Sequence, residues 1–327
     1  MAGTRHKIVL TIIIGLLQLS SMRAQTFVEL NCENLFDCNH DEGKRDSEFL
    51  PDGQRRWTRT KYWKKLNLIA QTILSCENDI PEMVALVEVE NDSVIHDLTR
   101  RSLLRNAHYD YLITESPDVR GLDVALLYLR KKFQPICYDY IRVPTAENMR
   151  PTRDILYIKG KEPSGDTLHV FVVHSPSRYG GELETRPYRM RVINQIKPYL
   201  KQIGEGQVLI AGDFNDYEKN VPLKELELMG MTNVTKNAKG RFGEAKGTYR
   251  FRGEWHSLDH VFLSTRLCER LDSVFINDAS FLLEDEEDYG GKKPYRTFNG
   301  AHYNGGGSDH LPLVVRLRNK EQREDGR

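Results

Sequence analysis

Acidic, amide and histidine side chains recur in this chain where short apolar runs end. They are Asn31 in LNCENLFD, Glu88 in VALVEVEND, His174 in FVVHSPSR, Asp213 and Asn215 in LIAGDFND, Asp259 in SLDHVFLS, and Asp309 with His310 in GSDHLPL. That set suits metal-assisted attack of water on a phosphate ester. Hard oxygen ligands hold a divalent cation, a carboxylate and an amide position the nucleophile, and imidazoles move protons.

The elements that must carry these residues are mostly strands. The runs MVALVEV, DVALLYL, TLHVFVV, QVLIAGD, LDHVFLS and PLVVRL are short, rich in β-branched residues and bounded by Gly, Pro, Asn or Asp. Helices separate some of them. After Thr58, a candidate N-cap, Tyr62, Leu66, Ile69 and Ile73 recur at helical spacing, and a second long helix is expected from Glu182 to Leu200. Strands apolar on both sides need cover on both faces.

Local spacing sharpens some positions and leaves others open. Glu90 would share a strand face with Glu88 if the strand continued, and it competes with Glu88 from second rank. Asp213 and Asn215, two apart, would point the same way on an extended segment, with Gly212 letting the backbone approach a ligand. An Asx turn is the plainer use of the same residues. The glycines Gly305 to Gly307 before Asp309 read as a mobile or tightly turned loop. Arg55 to Lys65 (RRWTRTKYWKK) mixes base-stacking and basic residues, yet reads better as the start of an amphipathic helix with its basic residues on the wet face. The segment GGKKPYRTFNGAHYNGGGSDH is the better candidate for substrate contact.

The first residues carry Arg5 and Lys7, an apolar run from Ile8 to Leu19, and small residues before Gln25. Such a run is too short to span a bilayer, which takes about 20 residues, and residues 1–24 are expected to be a cleaved export signal. Its removal takes away Arg5, Lys7 and Arg23 and no acid, so the 47 basic and 47 acidic residues become 44 against 47. No global positive field remains, so a nucleic-acid substrate would need a local basic cleft, and smaller phosphoesters stay in play. Five cysteines (Cys32, Cys38, Cys76, Cys137, Cys268) form no CxxC pair, which disfavours structural zinc; a Cys32 to Cys38 bridge is open to an exported chain, and buried thiols are expected instead. The motifs run from end to end and must converge, so residues 25–318 are expected to form one catalytic domain with no stable membrane span, followed by a charged tail at 319–327.

Together these segments, in their order and spacing, resemble the endonuclease/exonuclease/phosphatase superfamily in its deoxyribonuclease I-like form, as an exported bacterial-type member, over residues 26 to 318. The resemblance implies an α/β (α+β) four-layer sandwich of two packed mixed β-sheets flanked by helices. It also implies Mg2+ (or Mn2+) as cofactor. Glu88 matches the family's metal-binding glutamate, Asn31 the amide beside it, and Asp309 helps hold the metal. His310 is paired with a carboxylate matching Asp259. His174 matches a histidine of deoxyribonuclease I and the sphingomyelinases, and Arg120 a phosphate-contacting arginine, with Arg178 a further candidate of that kind. The resemblance leaves open which imidazole serves the leaving group, and whether Asp213 or His310 takes the proton from water.

The expected activity is thus that of an exported, monomeric, metal-dependent phosphodiesterase, foremost an endonuclease acting on DNA or RNA. The alternatives are a phosphatase, a sphingomyelinase-like phospholipid phosphodiesterase, or an inactive binding protein on the same fold. GEWHSLDH lacks the cysteine-bearing segment of inositol phosphatases, no aromatic hairpin of the sphingomyelinase kind is evident, and an export signal contradicts abasic-site repair.

Overall fold

The computed structural model describes residues 24–147 and 149–319. The expected export segment, apart from Ala24, and the expected charged tail, apart from Asn319, lie outside the described residues. No helix among the described residues is long and apolar enough to cross a membrane.

The chain lays down β1 (Gln25–Leu35), β2 (Met83–Val89), β3 (Asp110–Ile113), β4 (Asp123–Tyr128), β5 (Gln134–Ile141), β6 (Ile155–Lys161), β7 (Thr167–His174), β8 (Gln207–Asp213) and β9 (Met231–Asn233). Three further long strands are Asp259–Ser264, Leu271–Ile276 and Leu313–Leu317. They form two six-stranded mixed sheets. The first runs Leu271–Ile276, Leu313–Leu317, β1, β2, β4, β3, and the second β5, β6, β7, β8, Asp259–Ser264, β9. Each sheet holds one parallel pair, β1 with β2 and β7 with β8. A parallel pair needs a long crossover. The two long helices supply it, α1 (Arg59–Ser75) between β1 and β2 and α3 (Glu182–Ile203) between β7 and β8.

Strand alternation sorts side chains into separate cores. Phe27, Ala85, Val87 and Leu126 of the first sheet meet Ile158, Val170, Leu209 and Val261 of the second. Val28, Leu30, Val84 and Leu86 instead face α1 and α2 (Asp92–Arg100) through Leu66, Ile69, Ile73 and Leu98. Phe171, Val173, Ile210 and Phe262 face α3 and α4 (Val221–Leu228) through Ile193, Ile196 and Leu223. The result is the expected sandwich, helix, sheet, sheet, helix.

All the apolar runs named above are strands, and the helix after Thr58 buries Tyr62, Leu66, Ile69 and Ile73. Thr58 stands at the N-cap without a side-chain capping bond. One basic residue departs from the wet-face expectation. Lys65 is fully buried, its Nζ donating to the Glu33 carbonyl and, at 2.8 Å, to Thr297 Oγ1. Trp57, also buried, donates Nε1–H to the Phe36 carbonyl at 2.9 Å, so its ring is not offered to a base. The cysteines are free; Cys32 and Cys76 are buried, but Cys137 on the edge strand β5 is exposed, contrary to expectation.

At one end of the sandwich Arg270 fastens both sheets. Its guanidinium donates to both Glu162 carboxylate oxygens at 2.7 and 3.0 Å, to Gln207 at 2.8 Å and to Gln25 at 3.0 Å. Gln25 and Gln207 begin β1 and β8. The candidate site therefore lies at the opposite end, where those strands finish.

Candidate active site

The carboxyl ends of the four parallel strands carry Asn31, Glu88, His174 and Asp213. Alignment is enforced by register, with His174 opposite Asp213 across β7 and β8, and Asp213 opposite Asp259 on the antiparallel neighbour. His310 arrives from the other sheet, just before Leu313–Leu317. These ends open into a cleft of about 1030 Å³ whose lining includes Glu88, His174, Asp213, Asn215, Asp309 and His310. Asn31 and Asp259 lie just behind that lining, each hydrogen-bonded to a residue in it.

Two hydrogen bonds join the sheets here. Asn31 Nδ2 donates to Asp213 Oδ2 at 3.1 Å, and His310 Nδ1 lies 2.7 Å from Asp259 Oδ2. The second bond commits Nδ1 to the carboxylate, so Nε2 is the ring nitrogen left for other chemistry. Thr248 Oγ1 donates to the same Asp259 oxygen, and the Tyr249 ring packs on the imidazole with centroids 5.0 Å apart. Burial disfavours charge on His310, yet the Asp259 carboxylate, with Asp309 and Asp213, holds it well above the ordinary histidine range. His174 goes the other way, pushed well down by burial and by Arg153 and Arg120. Its Nε2 stands 3.7 Å from both Glu88 Oε1 and Asp213 Oδ2, and its Nδ1 is buried without a partner.

Backbone geometry decides between Glu88 and Glu90. Glu88 sits at φ +59, inside a register shift of β2 against β4. The bulge flips the alternation, since Val87 faces the other sheet whereas Val89 faces the helices. Glu88 is thereby turned to the cleft. Glu90 is turned away, buried, and accepts the Asp37 N–H at 2.6 Å.

Burial pushes the Glu90 carboxyl up to about 9. A carboxyl raised above its unfolded value costs stability as pH climbs between the two values, because the unfolded chain can ionise and the folded one cannot. Glu90→Gln is therefore expected to raise stability by about 1–3 kcal/mol at pH 8 and to change little at pH 4. Calorimetric unfolding at both pH values checks this; an equal shift at the two would refute it.

Asp213 and Asn215 form an Asx turn, Asn215 N–H donating to Asp213 Oδ1 at 2.7 Å. Asn215 is left-handed at φ +50, and its Nδ2 still reaches Asp213 Oδ2 at 3.3 Å and the Ser175 carbonyl at 3.1 Å. The turn and the shared polar site thus coexist. Gly212 serves a different purpose from the expected one. At φ +144, a Cβ there would stand 1.8 Å from the Val173 carbonyl, so the glycine admits the neighbouring strand rather than a ligand. Burial, then Asp259, pushes the Asp213 carboxyl up to about 7.

The glycine loop is tightly turned. The N–H groups of Gly305, Gly306 and Gly307 donate to carbonyls of Thr297, Arg296 and Tyr295, and Arg296 reaches Asp309 Oδ2 at 2.8 Å. Glu33 accepts the Thr297 and Phe298 N–H groups at 2.7 and 3.3 Å. The expected contact segment thus lines the cleft through Arg296, Phe298 and Gly300. Arg120 and Arg178 stand on the walls.

Three features escaped the sequence. Arg153, also in the lining, is 6% exposed, with Asp118 Oδ2 3.6 Å from its Nε. It precedes an apolar run by two residues, whereas the acids and histidines of the motifs stand at run ends. Glu33 lies two residues beyond Asn31 in LNCENLFD. A short hairpin, Tyr249–Phe251 with Glu254–His256, places a half-exposed Phe251 at the cleft. Its strands are three residues each, too short to show a period.

The donor set fits a divalent cation. Glu88 and Asp309 offer carboxylate oxygens in the lining, with the Asn31 amide behind it; single ligand atoms of Asp213, Asp259 and His310 also lie within 4.8 Å of one another, and Asp259 Oδ1 is buried without a partner. Below them Glu29 has both carboxylate oxygens buried and unpartnered, its acid form favoured by burial, Asp259 and Asp213.

The sandwich and the cluster at its open end define a hydrolase of phosphoester bonds. The chain belongs to the endonuclease/exonuclease/phosphatase family, whose model matches residues 26–319. No curated protein matches. Among solved structures, a family protein from Bacteroides thetaiotaomicron is 15% identical, with TM-score 0.60, over 90% of this chain and 97% of that one. The human nocturnin catalytic domain, with bound sulfate, is 17% identical at TM-score 0.56, over 90% and 92%. A mannosyl-6-phosphatase of Bacteroides thetaiotaomicron is likewise 17% identical at 0.56, over 89% and 98%. These likenesses carry the fold.

Proposed function

We propose that the chain is an exported phosphodiesterase that cuts nucleic acid with the help of Mg2+ or Mn2+. The observation that carries this reading is the convergence of Glu88, His174, Asp213, Asn215, Asp309 and His310 on one cleft with arginines on its walls. Asn31, Glu88 and Asp309 would hold the cation by oxygen. When bound, such a cation polarises a phosphoryl oxygen and lowers the pKa of water.

The chain's own groups do the rest. Asp213 and Asn215 orient the attacking water, one as acceptor and the other through its amide. His310, its Nδ1 committed to Asp259, transfers protons through Nε2. His174, across Asp213 from Asp259 in the strand register, serves the other oxygen of the reacting phosphate. Arg120 and Arg153 bind the nonbridging oxygens, for which a guanidinium fork is well shaped. Export is supported by the basic and apolar opening residues, and a polynucleotide substrate by the local supply of arginine in a chain without a basic excess.

The test is a substrate panel with Mg2+: plasmid DNA, RNA, sphingomyelin and a hexose 6-phosphate. Polynucleotide cleavage is expected to dominate. Release of phosphate or phosphocholine with no cut in either nucleic acid would overturn the nuclease reading and leave phosphoester hydrolysis standing.

A further inference from the structure

Arg178 lies over the Tyr217 ring, its guanidinium carbon 4.2 Å from the ring centroid. Tyr217 stacks in turn on His256, with centroids 5.3 Å apart and planes at 23°. The three residues come from the loop after β7, the loop after β8 and the second strand of the short hairpin, and all line the cleft. No ion pair engages Arg178 among the described residues. A guanidinium held against an aromatic face keeps its edge N–H donors free and loses little further freedom on binding an anion.

Its place relative to the reacting centre differs from that of the other arginines. Arg120 Nη1 reaches Asn34 Oδ1 at 3.4 Å, and the Asn34 N–H donates to Glu88 Oε2 at 2.8 Å, so Arg120 stands beside Glu88. The Arg178 stack is separated from His310 by Tyr249, which bridges to His310 on one side and pairs with His256 on the other. In that order of contacts, His310, Tyr249, His256, Tyr217, Arg178, the guanidinium comes last. Beside it Tyr179 is 92% exposed, a free face on which a base can stack.

We propose that the Arg178–Tyr217–His256 stack is a second anion subsite, which takes the phosphate next to the scissile one. The substrate is then an oligonucleotide strand with at least two phosphates, rather than a lone diester. This rests on the nucleic-acid reading above. Arg178 touches the flanking phosphate; Tyr217 and His256 are positioning residues that act through it.

The experiment compares the thymidine dinucleotide, with one phosphate, and the trinucleotide, with two, in the Mg2+-loaded full chain. The wild type is expected to favour the trinucleotide in kcat/KM by about tenfold, mostly through KM. Arg178→Ala and Tyr217→Ala should bring that ratio towards one, while Tyr217→Phe should keep it, since the ring and not the hydroxyl carries the guanidinium. Arg178→Ala, on a loop, decides the matter should Tyr217→Ala fail to fold. A ratio unchanged in Arg178→Ala, or already near one in the wild type, overturns the subsite alone. A wild type that cuts neither oligonucleotide, yet hydrolyses a sugar phosphate or a phospholipid, overturns the nucleic-acid reading and the subsite with it.

Discussion

Replacing His310 with alanine is expected to lower kcat by about 10²–10⁴-fold, the range for loss of a positioned proton-transfer group. The argument starts from Asp259, buried at the head of its strand and opposite Asp213, which holds His310 Nδ1 at 2.7 Å. That bond fixes the ring and leaves Nε2 for the substrate, so removing the imidazole removes a preset donor or acceptor and not merely packing. Thr248 still donates to the carboxylate in the variant, which limits the damage to the fold. Steady-state turnover on a polynucleotide, with circular dichroism of the same sample, measures it. Folded His310→Ala protein that turns over at near the wild-type rate would show that the site has been misplaced.

The second large effect is that of chelation. Excess EDTA is expected to abolish activity, and Mg2+ or Mn2+ to restore it. Glu88, Asp213, Asp259 and Asp309 crowd negative charge into a partly buried space, with Asp213 raised to about 7 by burial and by Asp259. Charges so placed repel strongly at low effective dielectric, and a cation relieves them. A binding readout is independent of turnover. Mg2+ should raise the melting temperature in proportion to the logarithm of its concentration above Kd, because it binds the folded chain. Full activity in excess chelator, with metal content verified, would sink the proposed chemistry.

Much of this was written in the sequence. The β-branched runs marked their strands, and the polar residues at their ends marked the cleft, because a strand end is where a side chain can leave the core without leaving the sheet. What stayed hidden depended on backbone detail or on distant partners. The period of two places Glu90 beside Glu88 until the left-handed turn at Glu88 separates them. Lys65 reads as a wet-face lysine until the Glu33 carbonyl and Thr297, far away in sequence, close around it. Gly212 looks like a ligand contact until Val173 is seen to need the space. Arg153 carries its charge two residues ahead of β6, a position that apolar patterning does not flag.

The bonds that cross between the sheets bear on when the chain becomes active. Asn31 to Asp213 and His310 to Asp259 exist only once both sheets have docked, and Arg270 fastens that docking at the far end. Neither half of the polypeptide owns a working set of groups. On the export reading proposed above, a chain kept extended before crossing the membrane cannot nick the nucleic acid of the cell that makes it. On that reading harm is confined to the compartment where folding finishes.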